Sequence, residues 1–453
     1  MRTKKFWQIC IPVLALLIGG ALGAYMNRAR MLKIIDAPHV MPDSTTIKID
    51  STNLPIVFIN TQGNEIEREE FVTAYVKIID NGNVNYGDTL VYTNQKVDYE
   101  GYMAIKYRGV SSYNYSYKKS YAIRAVDIKN GGKKKKSKLL GMRKGKKWIL
   151  KANPFDKSLI RDALTFELAR QYMDFVPQTH FCEVVVDGIY YGVYFLSEPI
   201  SADRLKLEKP NKTNDVINGL LLQIDNRHKN NALLSKHWDI GYLLEYPDSS
   251  NLSQAQIIYI SNYIDNIEKS ILNGDNSVFD KYIDMLSMID YQLVSEFCHN
   301  VDAYVLSTFI YKRRDDSKLK FSLWDFDLGY GNYSVGDSWK TDTWIYEKQG
   351  SMWKEIMKDS VYAQNVKKRW KQYRNEMYSD EHISHVIDSL SDVLLCYGAE
   401  KRNSQAWHSF DYAFTKKETT VQKYISSSYE DEITYLKDWI RRRLEWMDKE
   451  LLK

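Results

Sequence analysis

The sequence predicts an α+β chain in two lobes, a strand-rich first half joined to a mainly helical second half. Three observations carry this. Between Leu54 and Leu196 the apolar residues fall in short β-type runs broken by turn residues. That stretch contains a single strong helical pattern, Ser158–Tyr172. From Gln254 onward apolar positions recur at steps of three and four, with one island of strand inside them.

The elements follow in order. Leu54–Asn60 reads LPIVFIN and runs into the turn Thr61-Gln62-Gly63-Asn64. Further strands are predicted at Phe71–Ile79, Tyr102–Arg108 and Ser120–Val126, where Tyr121, Ile123 and Ala125 alternate with Arg124. Lys133–Lys136 after Gly131-Gly132 reads as a hairpin tip, and a strand resumes at Trp148-Ile149-Leu150. In the helix Ser158–Tyr172, Leu159, Ala163, Phe166 and Ala169 share one face. Cys182–Val186, the turn Asp187-Gly188 and Tyr190–Leu196 form a hairpin. Helices are predicted at Gln254–Leu272, Phe279–Asn300, Val361–Tyr378, His382–Cys396 and Glu430–Leu452. The strand island comprises Thr308–Lys312 and Lys318–Trp324.

Composition excludes several classes. With 453 residues, 44% apolar and 27% charged, and only 9 prolines, the chain is neither disordered nor collagen-like. The 34 tyrosines and 11 tryptophans suit half-buried sheet surfaces or aromatic binding faces. Five basic residues and no acid lie within residues 1–30, so the formal charge of +5 belongs to that segment and the body is neutral. A neutral body argues against a general nucleic-acid binder. Phe6–Met26 is free of charge and long enough to cross a bilayer, so it is a membrane anchor or a signal. The span favours an uncleaved anchor with the body outside the cytoplasm. Cys182, Cys298 and Cys396 imply no disulfide framework, and neither CxxC nor HExxH occurs. His382 and His385 are read as surface residues.

Two regions point to chemistry. Asp302 precedes the first strand of the island, and the second strand ends in WDFDLGYGN, which places Asp325 and Asp327 where the chain leaves it. Strand-end aspartates either cap turns or, as separated carboxylates, hold magnesium and receive a hydroxyl proton. The second region, Lys106–Asp127, puts Arg108-Gly109 and Ser111-Ser112 in a small turn ahead of Lys118 and Lys119. Such a turn covers phosphates while a strand lysine reaches them. Between Tyr113 and Lys157, 15 basic residues face only Asp127 and Asp156. A polyanionic ligand, an acidic partner or a solvated hairpin all explain that excess.

The segments LPIVFINTQG, RGVSS, KKSYAIR, GKKWILKANPFDKSLIRDALTFELAR, VVVDGIYYGVYFLSEPI, NVDAYVLSTFIYK, WDFDLGYGN and IRRRLEWMD occur in this order. Together they resemble the spore coat protein H (CotH) kinase family over essentially the whole body. The resemblance implies a bilobal, atypical protein-kinase-like fold with residues 53–200 as β-rich N-lobe and 201–453 as mainly helical C-lobe. Residues 1–30 would precede it as membrane segment and 31–52 as linker. It implies ATP and Mg2+ as cofactors and a protein as substrate. Asp302 then resembles the catalytic aspartate, Asp325 the metal ligand with Asp327 assisting, and Lys119 the phosphate-contacting lysine, with Lys118 as the alternative. Arg108, Gly109, Ser111 and Ser112 would cover the phosphates, Glu167 would pair with the lysine, and Glu198 would lie at a hinge near adenine.

One departure stands out. Where protein kinases carry Asn five residues after the catalytic aspartate, this chain has Ser307, leaving Asn300 as a possible oxygen donor. The function implied is phosphate transfer to a protein hydroxyl. The alternatives are transfer of AMP or glutamate, or a membrane-anchored surface binding protein.

Overall fold

The computed structural model describes residues 46–210, 216–225, 232–314, 317–332, 339–349, 352–410 and 426–453. The predicted membrane span Phe6–Met26 lies outside these residues. Among the described residues no helix is long and apolar enough to cross a membrane.

The first half contains strands β1 (Ile56–Asn60), β2 (Val72–Ile79), β3 (Val97–Arg108), β4 (Ser120–Asp127), β5 (Lys133–Lys134), β6 (Trp148–Lys151), β7 (Thr179–Val186) and β8 (Ile189–Ser197). They pair in the order β3-β2-β1-β7-β8-β6-β4-β5, and β3 also pairs with β4. That last pairing closes seven of the strands into a barrel. β3 makes closure possible because it is 12 residues long. Its register with β2 runs from Val97 to Ile105, while Met103 to Arg108 pair with β4. The β1–β7 ladder is parallel and the others are antiparallel. Alternate residues fill the barrel: Val57 and Ile59, Val76 and Ile78, Met103 and Ile105, Tyr121, Ile123 and Ala125, Trp148 and Leu150, Cys182 and Val184, Tyr194 and Leu196.

This corrects the kinase-like bilobal expectation. The first half is a closed seven-stranded barrel, and the whole is a mixed α/β structure. The predicted strands are present, but closure depends on two further ladders. One joins residues 56–59 to 183–186, far apart in the chain, and the other joins Met103–Arg108 of β3 to β4, overlapping the end of the β2 register. Periodicity specifies which face of a strand is apolar and is silent on which strand lies beside it.

The second half is less purely helical than expected. β9 (Leu220–Asp225), β10 (Ala232–Leu234) and β11 (Gly241–Tyr246) join the island strands β12 (Thr308–Lys312) and β13 (Lys320–Ser322) in a sheet of order β10-β11-β9-β12-β13. The helices of this half include Gln254–Leu272, Asn276–Tyr282, Met285–Cys298, Ser360–Asn375, Asp380–Leu395, Ala399–Trp407 and Tyr429–Leu451, of which Ala399–Trp407 packs on β8 of the barrel. The single helix expected at Phe279–Asn300 is two. Ile283 bridges to Leu319, and the Asp284 side chain accepts from Ser287 N at 3.0 Å, which caps a new helix.

The largest hydrophobic cluster runs across both halves, from Leu54 and Val193 to Leu444 and Met447. The helix Arg161–Ala169 is its pivot, with eight of its nine residues buried. Thr165 Oγ1 bonds to Tyr330 Oη at 2.8 Å, tying this helix to the segment after β13. At the far end, Arg443 is fully buried in the helix Tyr429–Leu451. Its guanidinium donates to the Glu296, Thr341 and Thr343 carbonyls at 2.6–3.0 Å. Of the three arginines in IRRRLEWMD, one is therefore an internal pin.

Candidate active site

β6 is buried on both faces. Trp148 and Leu150 point into the barrel, while Ile149 packs with Leu221, Phe309, Tyr311 and Trp324 of the second half. By the same alternation Lys151, the last residue of β6, emerges on the Ile149 side. Its ammonium donates to Asp162 Oδ2 at 2.5 Å and Asp325 Oδ1 at 2.9 Å. Burial alone would lower the Lys151 pKa, but the charges of Asp162, Asp325 and Asp327 override it and hold the ammonium protonated.

Asp162 opens the helix Arg161–Ala169 and is fully buried. Besides Lys151 it accepts from Asn153 Nδ2 at 3.1 Å and from Phe326 N at 2.8 Å. It thus joins the end of β6, the helix and the segment after β13 in one bonded unit. Asn153 is 4% exposed, and its Oδ1 is buried with no hydrogen-bond partner.

Asp325 sits at φ +68° and its side chain is 41% exposed, so the carboxylate reaches solvent beside buried Lys151. Burial pushes its pKa up, but Lys151 and Arg108 outweigh that and keep it below the usual value. Asp327 goes the other way. Burial and the Asp325 charge lift it well above the ordinary range. Asn300 accepts from Asp302 N at 3.2 Å and donates through Nδ2 to the Asp325 carbonyl at 3.4 Å, linking the two acidic segments. The Asp302 carboxyl is pushed up to about 7 by burial and by the charges of Asp325 and Asp225. Asn153, Leu159, His299, Tyr304, Ser307, Asp325 and Tyr330 all have positive φ. Backbone strain is thus concentrated on the segments that carry these groups.

The sequence-derived candidates divide clearly. Asp302, Asp325, Asp327 and Arg108 interact electrostatically around one centre. Arg108 ends β3 with its guanidinium 5.4 Å from the Trp324 ring centroid. Gly109 has φ +93°, and a Cβ there would fall 2.2 Å from Ser112 Oγ, so the turn after Arg108 requires glycine. Ser111 and Ser112 form a one-turn helix, Ser111–Tyr115, at this rim.

Lys119 is the main correction. Its ammonium donates to the Tyr113 carbonyl and lies 4.5 Å from the Tyr113 ring centroid, with no contact to Asp325. Lys118 is buried, donating to Val193 O at 2.7 Å and Asn403 Oδ1 at 2.9 Å. Lys151 is the lysine that meets Asp325. Glu167 is also displaced from its expected place. It pairs with Arg170 on an exposed face and lines a cavity of about 290 Å³ with Leu54, His180 and Leu390. Asp162, one and a half turns earlier, takes the lysine instead. The Glu198 carboxylate is consumed by Arg143 and Arg204, at 2.5 and 2.9 Å, and by Gln178 N at 3.0 Å. What signal there was for Lys151 lay in WILKANPFD, a charged residue closing an otherwise apolar strand.

Residues 105–447 match the family model described as CotH kinase protein. The chain belongs to the CotH kinase family. The comparison with curated proteins returned no match. The part assigned to the CotH kinase family contains Lys151, Asp162, Asp302, Asp325 and Asp327, and begins within β3. β1 and β2, two staves of the barrel, lie before it.

Proposed function

We propose that this CotH family member is an ATP- and magnesium-dependent phosphotransferase acting on a protein hydroxyl. The observation that carries the proposal is the Lys151 ammonium held between Asp162 and solvent-reaching Asp325, with Asp302 linked to Asp325 through Asn300. Family membership supports kinase-type chemistry.

The residues fit a divalent cation. Asp325 and Asp327 are like charges whose proximity raises Asp327, and Asn153 Oδ1 is a buried acceptor without a donor. Asn300 is committed to bonds with Asp302 N and the Asp325 carbonyl, which leaves Asn153 as the better placed neutral oxygen. Asp325 and Asp327 would hold magnesium, which when bound neutralises phosphate charge and favours the leaving oxygen. The Lys151 ammonium would bind phosphate oxygens, kept in place by Asp162. Arg108 would add positive charge at the rim. Asp302 would accept the proton of the acceptor hydroxyl as its oxygen bonds to the γ-phosphorus and the bond to the bridging oxygen breaks, releasing ADP. A carboxyl near pH 7 suits that role, and a cation on Asp325 would remove one cause of its elevation.

The test is transfer of labelled γ-phosphate to protein, with mass spectrometry of the product. An increment of phosphate supports the proposal, whereas one of AMP or glutamate replaces it with another group transfer. No calorimetric response to ATP with magnesium, in the intact chain, favours a surface binding protein instead. Asp325→Ala should abolish transfer while leaving the melting temperature unchanged, and retained transfer refutes the metal role. We further propose that Phe6–Met26 anchors the body outside the cytoplasm. Release of the protein from membranes by salt alone would refute the anchor.

A further inference from the structure

Away from the Lys151–Asp325 site, His237 lies in the turn between β10 and β11, and Asp265 and Glu268 lie three residues apart on the helix Gln254–Leu272. One nitrogen or oxygen from each of the three is within 4.8 Å of the others. His237 Nε2 stands 3.3 Å from Asp265 Oδ1. That separation is about the edge of a tetrahedron whose metal–ligand bonds are roughly 2.0–2.1 Å.

Glu268 supplies an independent indication. It is 1% exposed and its Oε1 accepts from the Tyr242 hydroxyl at 2.8 Å, while its buried Oε2 makes no hydrogen bond of good geometry although the Ser235 hydroxyl and the Lys236 N–H face the carboxylate. An under-satisfied buried carboxylate oxygen is costly, and a cation is one way to satisfy it. Asp265 is 7% exposed. Lys236 and Lys269 approach its Oδ2 at 3.1 and 2.8 Å, while His237 faces Oδ1. Both lysines are more than half exposed, so they can withdraw to water without uncovering a core.

We propose that His237 Nε2, Asp265 and Glu268 bind a zinc ion, with water completing the coordination. Imidazole with two carboxylates suits zinc better than magnesium or calcium, which take oxygen ligands. The ion would fasten the β10–β11 turn to the helix Gln254–Leu272 and compete with Lys236 and Lys269 for Asp265. The site is independent of the proposed phosphotransfer.

The experiment uses the full chain, stripped with chelator, titrated with zinc against a competing chromogenic chelator and analysed for metal after gel filtration. Asp325→Ala serves as a second background, so that binding at Asp325 and Asp327 is not counted. One zinc per chain is expected in Asp325→Ala, and at least one in the parent. His237→Ala, at a partly exposed side chain, should weaken binding at least tenfold with the melting temperature of the zinc-free protein unchanged. Glu268→Gln should do the same. The double variant Lys236→Ala/Lys269→Ala should bind zinc several-fold more tightly, because the competing ammonium groups are gone. Equal zinc affinity in His237→Ala, weaker affinity in the lysine double variant, or no bound zinc in the Asp325→Ala background would overturn the proposal.

Discussion

Lys151 and Lys119 are both basic residues at strand termini, yet only one faces Asp325. The difference is parity. Lys151 follows Ile149 on the side of β6 that meets the second half, whereas Lys119 precedes β4 and folds back over Tyr113. Lys151→Met is therefore expected to cut transfer by about 10²–10³-fold, the size of losing one aimed cation, while Lys119→Met stays near the parent rate. Steady-state kinetics on the two variants decides this, and the reverse ranking would return the role to Lys119. Asp302→Asn should lower the rate by roughly 10²–10⁴-fold with little change in ATP affinity, as expected of a proton acceptor. An equal loss of ATP affinity would instead mark Asp302 as part of the nucleotide site. WDFDLGYGN and NVDAY were legible as acidic, strand-end segments. Asp162 was not, because its role depends on Lys151, Asn153 and Phe326 arriving from other elements.

Between elements, the contact of the helix Ala399–Trp407 with β8 shows how a buried charge is managed. Lys118 has two hydrogen-bond acceptors, Val193 O and Asn403 Oδ1, and among the described residues no carboxylate bonds to it. A neutral amine has two N–H groups for them. Burial lowers its pKa from 10.5 to about 7. The unfolded chain then binds more protons between pH 7 and 10.5, so this group makes stability rise with pH across that window. Its penalty, on the order of 5 kcal/mol, is full below pH 7 and absent above 10.5. Denaturation of the parent and Lys118→Met over pH 7–10 should show that rise only in the parent, and parallel profiles would refute a neutral Lys118. The same contact requires Gly192. It has φ +97°, and a Cβ there would lie 2.5 Å from Asn403 Oδ1. The hairpin was legible from Asp187-Gly188, but the bulge at Gly192 serves a helix more than 200 residues away.

At the scale of the molecule, barrel closure is the organising event. β3, β2 and β1 link β4 to β7, so a chain beginning at Ile105, where the family match begins, lacks two staves and part of a third. Its removal would uncover Cys182, Val184 and Leu196, which are now buried against Val57 and Val76. Such a truncation is expected to lose cooperative thermal unfolding, as followed by circular dichroism, whereas removing residues 1–45 should preserve it. A sharp transition in the shorter chain would show that the barrel is dispensable.

The sequence by itself determined the strands of the first half, the island strands, most of the long helices and the acidic segments at Asp302 and Asp325, but not β9, β10 and β11 or the break at Ile283. These follow from local steric preference and from the period of apolar residues. Only the tertiary structure decided that the strands close into a barrel, that Lys151 rather than Lys119 meets Asp325, and that Asp162 rather than Glu167 supports it. The physical reason is that ladder pairing and ion-pair choice depend on which groups are desolvated together. Residues 151, 162 and 325 become neighbours only when β6, the helix Arg161–Ala169 and the end of β13 share one core.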